Sequence, residues 1–488
     1  MDKSGEAAKK QKVLKLTYLL FASPLVLAYI IWRWFPTFAG YIVVHGFGYI
    51  PSVQVAHWLW HGTLLAFFTL YVIFAIGLEG VLVVAAWIWR RRRKPSRLTD
   101  FPTVSFVVPA YDEEKLISRC ITSLFKTAVD YLGSCEIIVV DDGSNDNTYE
   151  AAWEAMRENQ SLWPSVHGKV VRHSTNLGKV EAIRTAVSKA SGELVATVDS
   201  DTWWDPVALT KLIRHMNEEG KGAISGYIHP TDGENEHHLY TILQQLEYSL
   251  GLGIFRNAHA LGNAVPVVPG PMGLYRAHIL RDVLDEKAVK SVTEDLEITL
   301  ELQKRGVSVG YADRARSATV APTSFKAFWN QRLRWFTGWI HNLVAVHKDL
   351  LLQRSWLSLV LWCSLVLAYC CGIIELAALL SLPLFLWFAP DRVFFLINVL
   401  IYILFAMFVG TIYQGIALKF SYGEYNHRYL LPYAPLFYVL NFVNICARVR
   451  CLITYIQGDR GCWHRQFLNV HTRKEGELEK GRKEGVKI

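Results

Sequence analysis

The chain has 488 residues, a formal net charge of +8 at pH 7 and hydrophobic residues at 52% of its positions. Its length allows two or three domains, and its apolar residues concentrate at the two ends, which is typical of a membrane protein with an inserted soluble domain. The excess lysine and arginine flank apolar runs and form no recognisable nucleic-acid-binding motif, so we expect no nucleic-acid partner.

Two apolar runs near the N-terminus are long enough to cross a bilayer. They extend from Leu16 to Trp32 and from Thr63 to Trp89. Lysines precede the first run and Arg90–Lys94 follows the second, and the positive-inside rule places both clusters in the cytoplasm. A cleaved signal peptide is the alternative for the first run, but no small-residue cleavage pattern follows it. We therefore expect residues 1–95 to form two transmembrane helices.

The middle of the chain, residues 96–340, alternates short apolar strands with helical patterns. This order predicts an α/β domain with a mainly parallel sheet and helices on both faces. Because two spans precede it, the domain is expected in the cytoplasm. The predicted strands are Val104–Pro109, Glu136–Val140, Lys169–His173 and Glu193–Val198, and the predicted helices between them are Glu114–Thr127, Asn147–Asn159 and Val180–Ala190.

Apolar runs return in the last part of the chain, residues 341–488. Ser355–Phe388 and Val393–Leu418 are candidate spans. Tyr429–Ile456 is ambiguous, because it is long and apolar but contains two prolines, two asparagines and two arginines. If it crossed fully, the basic tail would lie outside the cell, so an interfacial or partly inserted segment is favoured. The tail itself, rich in Lys, Glu and Gly, is expected to be disordered.

Carboxylates follow three of the predicted strands. Because the carboxyl ends of parallel strands face the crevice in which α/β sheets bind ligands, these side chains are expected to meet there. Asp199 and Asp201 supply two hard oxygen donors that can hold a divalent cation against a diphosphate, although a solvated turn is the alternative. For the other strand ends, helix capping is the alternative. These other carboxylates are Asp112, Glu113, Asp141 and Asp142.

Three further groups carry possible chemistry. Lys179 lies in a loop where it can meet a phosphate or remain solvated. Asp295 opens an amphipathic helix, either as a cap or as a general base within reach of a hydroxyl proton. Further on, Arg334 can bind diphosphate oxygens bidentately and Trp335 offers a flat face to a sugar ring. The alternative for that last segment is an amphipathic helix on the membrane surface, and the two interpretations are compatible.

Taken together, these motifs resemble the processive, membrane-integrated family 2 glycosyltransferases, which include the cellulose, chitin, hyaluronan and poly-N-acetylglucosamine synthases. The resemblance covers nearly the whole middle segment and both flanking apolar regions, with the motifs in the family's order. It implies a GT-A-like nucleotide-sugar-binding domain inserted between transmembrane helices. The matching motifs are Pro109–Glu113, Asp141-Asp142-Gly143, Asp199-Ser200-Asp201, Thr293-Glu294-Asp295 and Gln331-x-x-Arg334-Trp335.

The resemblance implies a donor site for a UDP-sugar and a divalent cation. Asp201 would bind Mg²⁺ or Mn²⁺, Asp199 would lie near the nucleotide, and Lys179 would contact the diphosphate. Arg334 would stabilise the leaving diphosphate. The other nucleotide-sugar-binding residues would be Asp112 and Asp141, which hold the uridine, with Glu113 and Asp142 beside them.

The resemblance also implies how the sugar is transferred. Asp295, in the catalytic group Thr293-Glu294-Asp295, would be the base that activates the acceptor hydroxyl, so that an α-linked donor gives a β-linked product. Trp335 would stack on the acceptor sugar, and Trp463 would be a gate over UDP. The other acceptor-binding residues would be Gln331 and Arg332.

The expected function is inverting, processive transfer of a sugar from a UDP-sugar to the non-reducing end of a growing β-linked polysaccharide. UDP-GlcNAc is the favoured donor and UDP-Glc the second, and the product would be secreted through the plasma (inner) membrane. The lipid bilayer is an expected partner, as is a small membrane subunit or a second copy of the chain. The alternative is a non-processive enzyme that transfers one sugar to a lipid or polyprenyl phosphate.

Overall fold

A computed structural model describes residue 77, residues 80–91, 98–233, 238–286, 289, 291–366, 392–422 and 428–458, and scattered positions between 369 and 387. The first predicted span, most of the second and Trp463 lie outside the described residues. The predictions made for those segments therefore remain predictions.

An eight-stranded sheet forms the centre of the molecule. Its order is β3-β2-β1-β4-β7-β6-β8-β5. The first four strands in this order are parallel, as the sequence predicts. The other half is mixed, because β7 is antiparallel to both β4 and β6, β8 is parallel to β6, and β5 is antiparallel to β8. The strands are Val104–Ala110 (β1), Cys135–Asp141 (β2), His167–Arg172 (β3), Leu194–Thr197 (β4), Thr202–Trp204 (β5), Ala223–Thr231 (β6), Gly273–Arg276 (β7) and Val309–Val320 (β8).

The central strands are buried along their whole length. Every residue of β1, β2 and β4 is buried, as expected for parallel strands covered by helices on both faces. This is why their sequences are mostly apolar, with Ser105, Glu136 and Thr197 as buried polar exceptions before the strand-end carboxylates. The parallel half therefore delivers the ends of β1, β2 and β4 to one edge of the sheet.

Helices cover the sheet and continue beyond it. The three helices predicted between the first strands begin and end within three residues of the observed bounds. The helices are 80–91 (α1), Ile117–Asp130 (α2), Thr148–Leu162 (α3), Lys179–Lys189 (α4), Ala208–Glu218 (α5), Leu239–Leu250 (α6), Arg256–Leu261 (α7), Ala277–Glu286 (α8), Glu294–Lys304 (α9), Phe325–His341 (α10), Lys348–Leu351 (α11), Trp356–Leu365 (α12), Arg392–Tyr422 (α13) and Phe437–Ile456 (α14).

Two described helical segments are long and apolar enough to cross a membrane. They are Val399–Ser421 within α13, with a mean hydropathy of 2.0, and Tyr429–Ile456, with a mean hydropathy of 1.6. The second segment begins as a 3₁₀-helix containing its two prolines and continues as α14. Helix α12 is apolar but shorter. Length and composition permit a span here, and membrane insertion stays a prediction.

The apolar helices pack directly against the α/β domain. The Arg90 side chain at the end of α1 pairs with Asp313 of β8 at 3.0 Å and donates to the Phe420 carbonyl of α13 at 2.9 Å. Arg316 of β8 donates to the Ser421 carbonyl at 2.8 Å. The ends of α1 and α13 are thus fixed to the sheet by charge-assisted hydrogen bonds.

Candidate active site

The loops that follow β1 and β2 are tied together at the strand ends. The Asp112 backbone N–H donates to Ser144 Oγ at 3.0 Å, and the Asn145 N–H donates to Asp112 Oδ1 at 2.8 Å. Asp112 is a non-glycine residue with φ of 55°, a conformation that such residues adopt rarely and that often marks functional positions. Its side chain is exposed at the edge of the sheet. Asp112 therefore remains accessible to a ligand.

The two adjacent aspartates at the end of β2 have different surroundings. Asp141 is fully buried, accepts from the Ser144 N–H at 3.1 Å and pairs with Arg172 at 3.0 Å. Asp142 accepts from the N–H groups of Leu177 and Gly178 at 2.9 and 2.7 Å and contacts His173 Nδ1 at 2.7 Å. The Asp142 carboxylate therefore holds the turn that leads into Lys179. Because its oxygens are engaged in this way, Asp142 would influence a ligand by positioning that turn.

Lys179 lies between two carboxylates that come from distant parts of the chain. Its Nζ is 2.8 Å from Asp199 Oδ1 and 2.8 Å from Glu294 Oε1. Desolvation alone would lower the pKa of Lys179, but the two carboxylates outweigh it and raise the pKa above its ordinary value. The ammonium group therefore joins the residues after β4 to the start of α9.

Gly270 lies against this ion pair. A Cβ at this position would be 2.8 Å from Asp199 Oδ1 and 3.0 Å from Lys179 Nζ, which leaves no room for a side chain. Because a glycine permits such close backbone approach, Gly270 forms one wall of the pocket around the lysine. The sequence contains the signal, a Gly-Pro pair before β7, but Gly270 was not among the predicted site residues.

Asp201 and its neighbours form the most negative part of the site. The hydroxyls of Thr202 and Thr319 lie 3.1 and 3.2 Å from Asp201 Oδ1. Burial and the Asp199 carboxylate raise the pKa of Asp201 to about 6. Burial, followed by Asp201 and other carboxylates, raises the pKa of Glu113 to about 7. These shifts mean that protonation, or a cation, would relieve mutual repulsion among the carboxylates.

The donor atoms available here fit Mg²⁺ or Mn²⁺. Both prefer hard oxygen ligands, and such ions are commonly held by one or two carboxylates and substrate phosphates. Asp199 and Asp201 supply the carboxylates. Across the described residues, no three His, Cys, Asp or Glu side chains are grouped as a metal site. An ion here would therefore take its remaining ligands from water or from phosphate oxygens.

The expected base, Asp295, lies in the first turn of α9. Its Oδ1 accepts from the Leu296 N–H at 2.8 Å. Burial and the neighbouring Glu294 carboxylate raise the pKa of Asp295 to about 6. Burial would raise the pKa of Glu294, but Lys179 and, to a smaller extent, Arg334 lower it below its ordinary value. The pKa values of the two acidic residues are thus pushed apart: Glu294 is ionised, and the pKa of Asp295 lies closer to neutral pH.

Thr293, the first residue of the same group, is a buried contact with α10. Its Oγ1 lies 3.0 Å from Ser291 Oγ and accepts from Asn342 Nδ2 at 3.2 Å. A Cβ at Gly338 would lie 2.2 Å from this hydroxyl, so the helix backbone approaches it directly. Thr293 therefore fixes the loop before Asp295 against α10. Sequence reasoning missed the partners Ser291 and Asn342, for which the chain gives no local signal.

Helix α10 presents different side chains to the site and to the protein interior. Arg334 is exposed, and its influence on Glu294 places it on the site side. Arg332 is buried, and its Nη2 donates to Glu247 at 2.5 Å. The Arg332 guanidinium lies 4.4 Å from the centre of the Trp335 ring. Gln331 and Trp335 are half-buried on the same helix.

Comparison with known proteins matches residues 105–284 to the family described as Glycosyl transferase family 2. This match runs from β1 through β7 into α8 and includes the carboxylates that follow β1, β2 and β4. Residues 105–284 form a family 2 glycosyltransferase domain. The predicted resemblance to family 2 glycosyltransferases is thereby confirmed, whereas processivity and membrane integration stay predictions.

Two curated relatives illustrate this likeness. An N-acetylglucosaminyltransferase from Sinorhizobium fredii is 32% identical over 242 residues, covering 48% of this chain and 56% of that protein. A poly-beta-1,6-N-acetyl-D-glucosamine synthase from Staphylococcus epidermidis is 28% identical over 236 residues, covering 48% and 54%. The chain thus spans a little over half the length of these relatives.

A solved structure is also similar. A mannosyltransferase from Pyrobaculum calidifontis, in complex with GDP-Man and Mn²⁺, is 18% identical and has a TM-score of 0.49, covering 71% of this chain and 96% of that one.

The glycosyltransferase domain contains only part of the candidate site. Lys179, Asp199 and Asp201 lie inside the matched residues, whereas Asp295 and α10 follow them in the sequence. The Lys179–Glu294 ion pair brings the two parts together.

Proposed function

We propose that the chain transfers N-acetylglucosamine from UDP-GlcNAc to the non-reducing end of a growing β-linked polysaccharide. The observation that carries the proposal is the bridge from Asp199 through Lys179 to Glu294, which joins a diphosphate-side carboxylate to the residue beside the candidate base. The names of the two curated relatives support N-acetylglucosamine as the sugar.

The donor half of the site binds and orients the nucleotide. Asp112 accepts hydrogen bonds from the uridine, and Asp141 and Asp142 hold the loops around it. When a diphosphate enters, Lys179 exchanges part of its contact with Asp199 for phosphate oxygens and remains anchored by Glu294. Asp199 and Asp201 would hold Mg²⁺ or Mn²⁺, and the ion would supply charge stabilisation for the departing diphosphate. Arg334 adds a planar donor on the same side.

The acceptor half activates one sugar hydroxyl. Asp295 removes its proton, and the oxygen attacks the anomeric carbon from the face opposite the diphosphate. The new carbon–oxygen bond forms as the bond to UDP breaks, so an α-linked donor gives a β-linked product. The raised pKa of Asp295 suits this role, because a base works best when its pKa lies near the working pH. Trp335 holds the acceptor sugar by stacking.

The position of this half of the site supports processive growth and secretion. Helix α10 carries Trp335 and packs along α14, which belongs to a segment apolar enough to cross a membrane. A polymer that leaves Trp335 along this face would meet the bilayer directly. The second candidate is a non-processive enzyme with a lipid acceptor, and the same apolar helices would serve that substrate too.

The test uses the full-length protein in detergent with Mn²⁺ and each of UDP-GlcNAc, UDP-Glc and UDP-GlcA. We expect a high-mass product from UDP-GlcNAc alone, and no product from Asp295→Asn, which should still bind UDP because its change is confined to the acceptor half. A single-sugar adduct that forms only with added lipid would contradict polymer synthesis and favour the second candidate.

A further inference from the structure

A buried polar cluster connects three helices behind Trp335. Glu247 of α6 accepts from Arg332 Nη2 of α10 through Oε2 at 2.5 Å, and from Asn444 Nδ2 of α14 through Oε1 at 3.0 Å. The Arg332 side chain is 3% exposed and that of Glu247 is 22% exposed. The cluster therefore joins the α/β domain, the helix with the acceptor residues and a candidate membrane helix.

Arg332 also contacts two aromatic rings on its own helix. Its guanidinium carbon is 4.5 Å from the centre of the Phe328 ring and 4.4 Å from the centre of the Trp335 ring. Phe328 is fully buried and cannot move aside. A desolvated cation at this distance from an aromatic face is attracted by the ring quadrupole. The position of Arg332 thus sets the position of the Trp335 ring.

Stability alone does not account for this cluster. Replacing a buried ion pair by apolar residues is often neutral or stabilising, so such a pair is weak evidence for a stabilising role. Within the described residues, Arg332 Nε and Asn444 Oδ1 are buried without a hydrogen-bond partner, so the cluster is incompletely satisfied. A cluster that leaves hydrogen bonds unmade but fixes the Trp335 ring is better explained as a means of orienting that ring.

We propose that Glu247 is a positioning residue of the acceptor site. It fixes Arg332, which orients Trp335, and its second oxygen ties this arrangement to Asn444 of α14. The inference rests on the proposed function, because it takes Trp335 to be the surface on which an acceptor sugar stacks. It adds a carboxylate far from Asp295 in the sequence that controls acceptor binding without touching the reacting atoms.

The test variant is Glu247→Gln, which keeps the shape of the side chain and removes the charge that holds Arg332. The matched control is Glu136→Gln. Glu136 is a buried carboxylate at the end of β2 away from Asp141 and the site, and it accepts hydrogen bonds from Ser105 and Ser191 at 2.6 Å. Both variants are compared in the full-length protein with Mn²⁺, UDP-GlcNAc and a soluble N-acetylglucosamine oligosaccharide as acceptor. UDP affinity and thermal unfolding are measured alongside.

We expect Glu247→Gln to raise the KM for the oligosaccharide about tenfold, while the KM for UDP-GlcNAc and the affinity for UDP change by less than about twofold. Asn444→Leu should raise the acceptor KM in the same direction but less, because Arg332 keeps its charged partner. Glu136→Gln should leave the acceptor KM unchanged even if it lowers the unfolding temperature.

Two results would overturn the role of Glu247. One is an unchanged acceptor KM in Glu247→Gln, and the other is a parallel rise in the donor and acceptor KM values that the Glu136→Gln control reproduces. Failure of the proposed function has a different signature. If the wild-type protein adds only one sugar to the oligosaccharide, polymer synthesis fails, but the acceptor KM of Glu247→Gln still decides the role of Glu247.

Discussion

At the scale of single residues, the pKa of Asp295 gives the site a definite dependence on pH. Burial and the Glu294 carboxylate raise it to about 6. Because the base must be ionised to accept a proton, activity is present above this pH and is lost as the pH falls through it. One unit below, on the order of a tenth of the rate remains. Initial rates between pH 4.5 and 8 at saturating donor measure this acid limb of the pH–rate profile.

A second carboxylate could produce a limb in the same range, since the pKa of Asp201 is also raised to about 6. The two are distinguished by Mn²⁺, which competes with protons for Asp201 but not for Asp295. We expect the limb to stay in place as Mn²⁺ rises to saturation. A limb that moves steadily to lower pH would assign it to Asp201 and contradict the role of Asp295.

The individual site residues were predictable to different degrees. Asp199 and Asp201 could be placed because a buried strand ends directly before them, and strand ends meet at one edge of a parallel sheet. The surroundings of Asp142 could not, since they depend on a loop more than thirty residues further along the chain. The burial of Arg332 could not be predicted either, because its partner Glu247 lies 85 residues earlier in the chain.

At the scale of elements, the relative position of α9 and α10 depends on a small set of buried hydrogen bonds. Asn342, at the end of α10, donates through Nδ2 to Ser291 Oγ at 2.8 Å, to Thr293 Oγ1 at 3.2 Å and to the Gly338 carbonyl at 3.0 Å. These contacts hold the loop that precedes Asp295 against the helix that carries Arg334. The side-chain amide of Asn342 therefore helps to fix the position of Asp295 relative to Arg334.

Asn342→Ala should lower kcat at least about tenfold and leave the donor KM nearly unchanged, because a small displacement of a catalytic group is costly while the nucleotide contacts remain. The loss of buried hydrogen bonds should also cost about 1–3 kcal/mol of unfolding free energy. Steady-state kinetics with UDP-GlcNAc and denaturant unfolding measure the two effects separately.

Asn159→Ala is the matched control, since Asn159 is a buried asparagine of α3 that donates to Thr122 at 3.1 Å and to the Ala155 carbonyl at 2.7 Å, away from the site. It should lose stability without losing kcat in the native protein. Equal kcat losses in the two variants would show that Asn342 acts only on stability.

The elements themselves were predicted unevenly. Strands β1 to β4 and the helices between them have strong apolar patterns and short connections, so their order and direction follow from the sequence. Strands β5 to β8 were not predicted. β5 and β7 have three and four residues, and β8 contains charged residues whose partners come from distant parts of the chain. Their pairing is decided by tertiary contacts, which a local pattern does not contain.

At the scale of the whole molecule, a few specific contacts join the family 2 glycosyltransferase domain to the apolar helices. Arg90 and Arg316 fix the ends of α1 and α13 to β8, and Glu247 connects α6 to α10 and α14. The acceptor residues therefore lie where the α/β domain meets helices suited to a bilayer. This arrangement supports the proposed synthesis and export of a polymer.

The central claim is that the chain extends one acceptor many times before releasing it. The most direct measurement is the size distribution of the product from UDP-GlcNAc when acceptor is in large excess over the full-length enzyme and only a small fraction of it has been used. The account predicts a few long chains among unextended acceptors, with no gradual ladder. A population in which most used acceptors carry a single added sugar would contradict it.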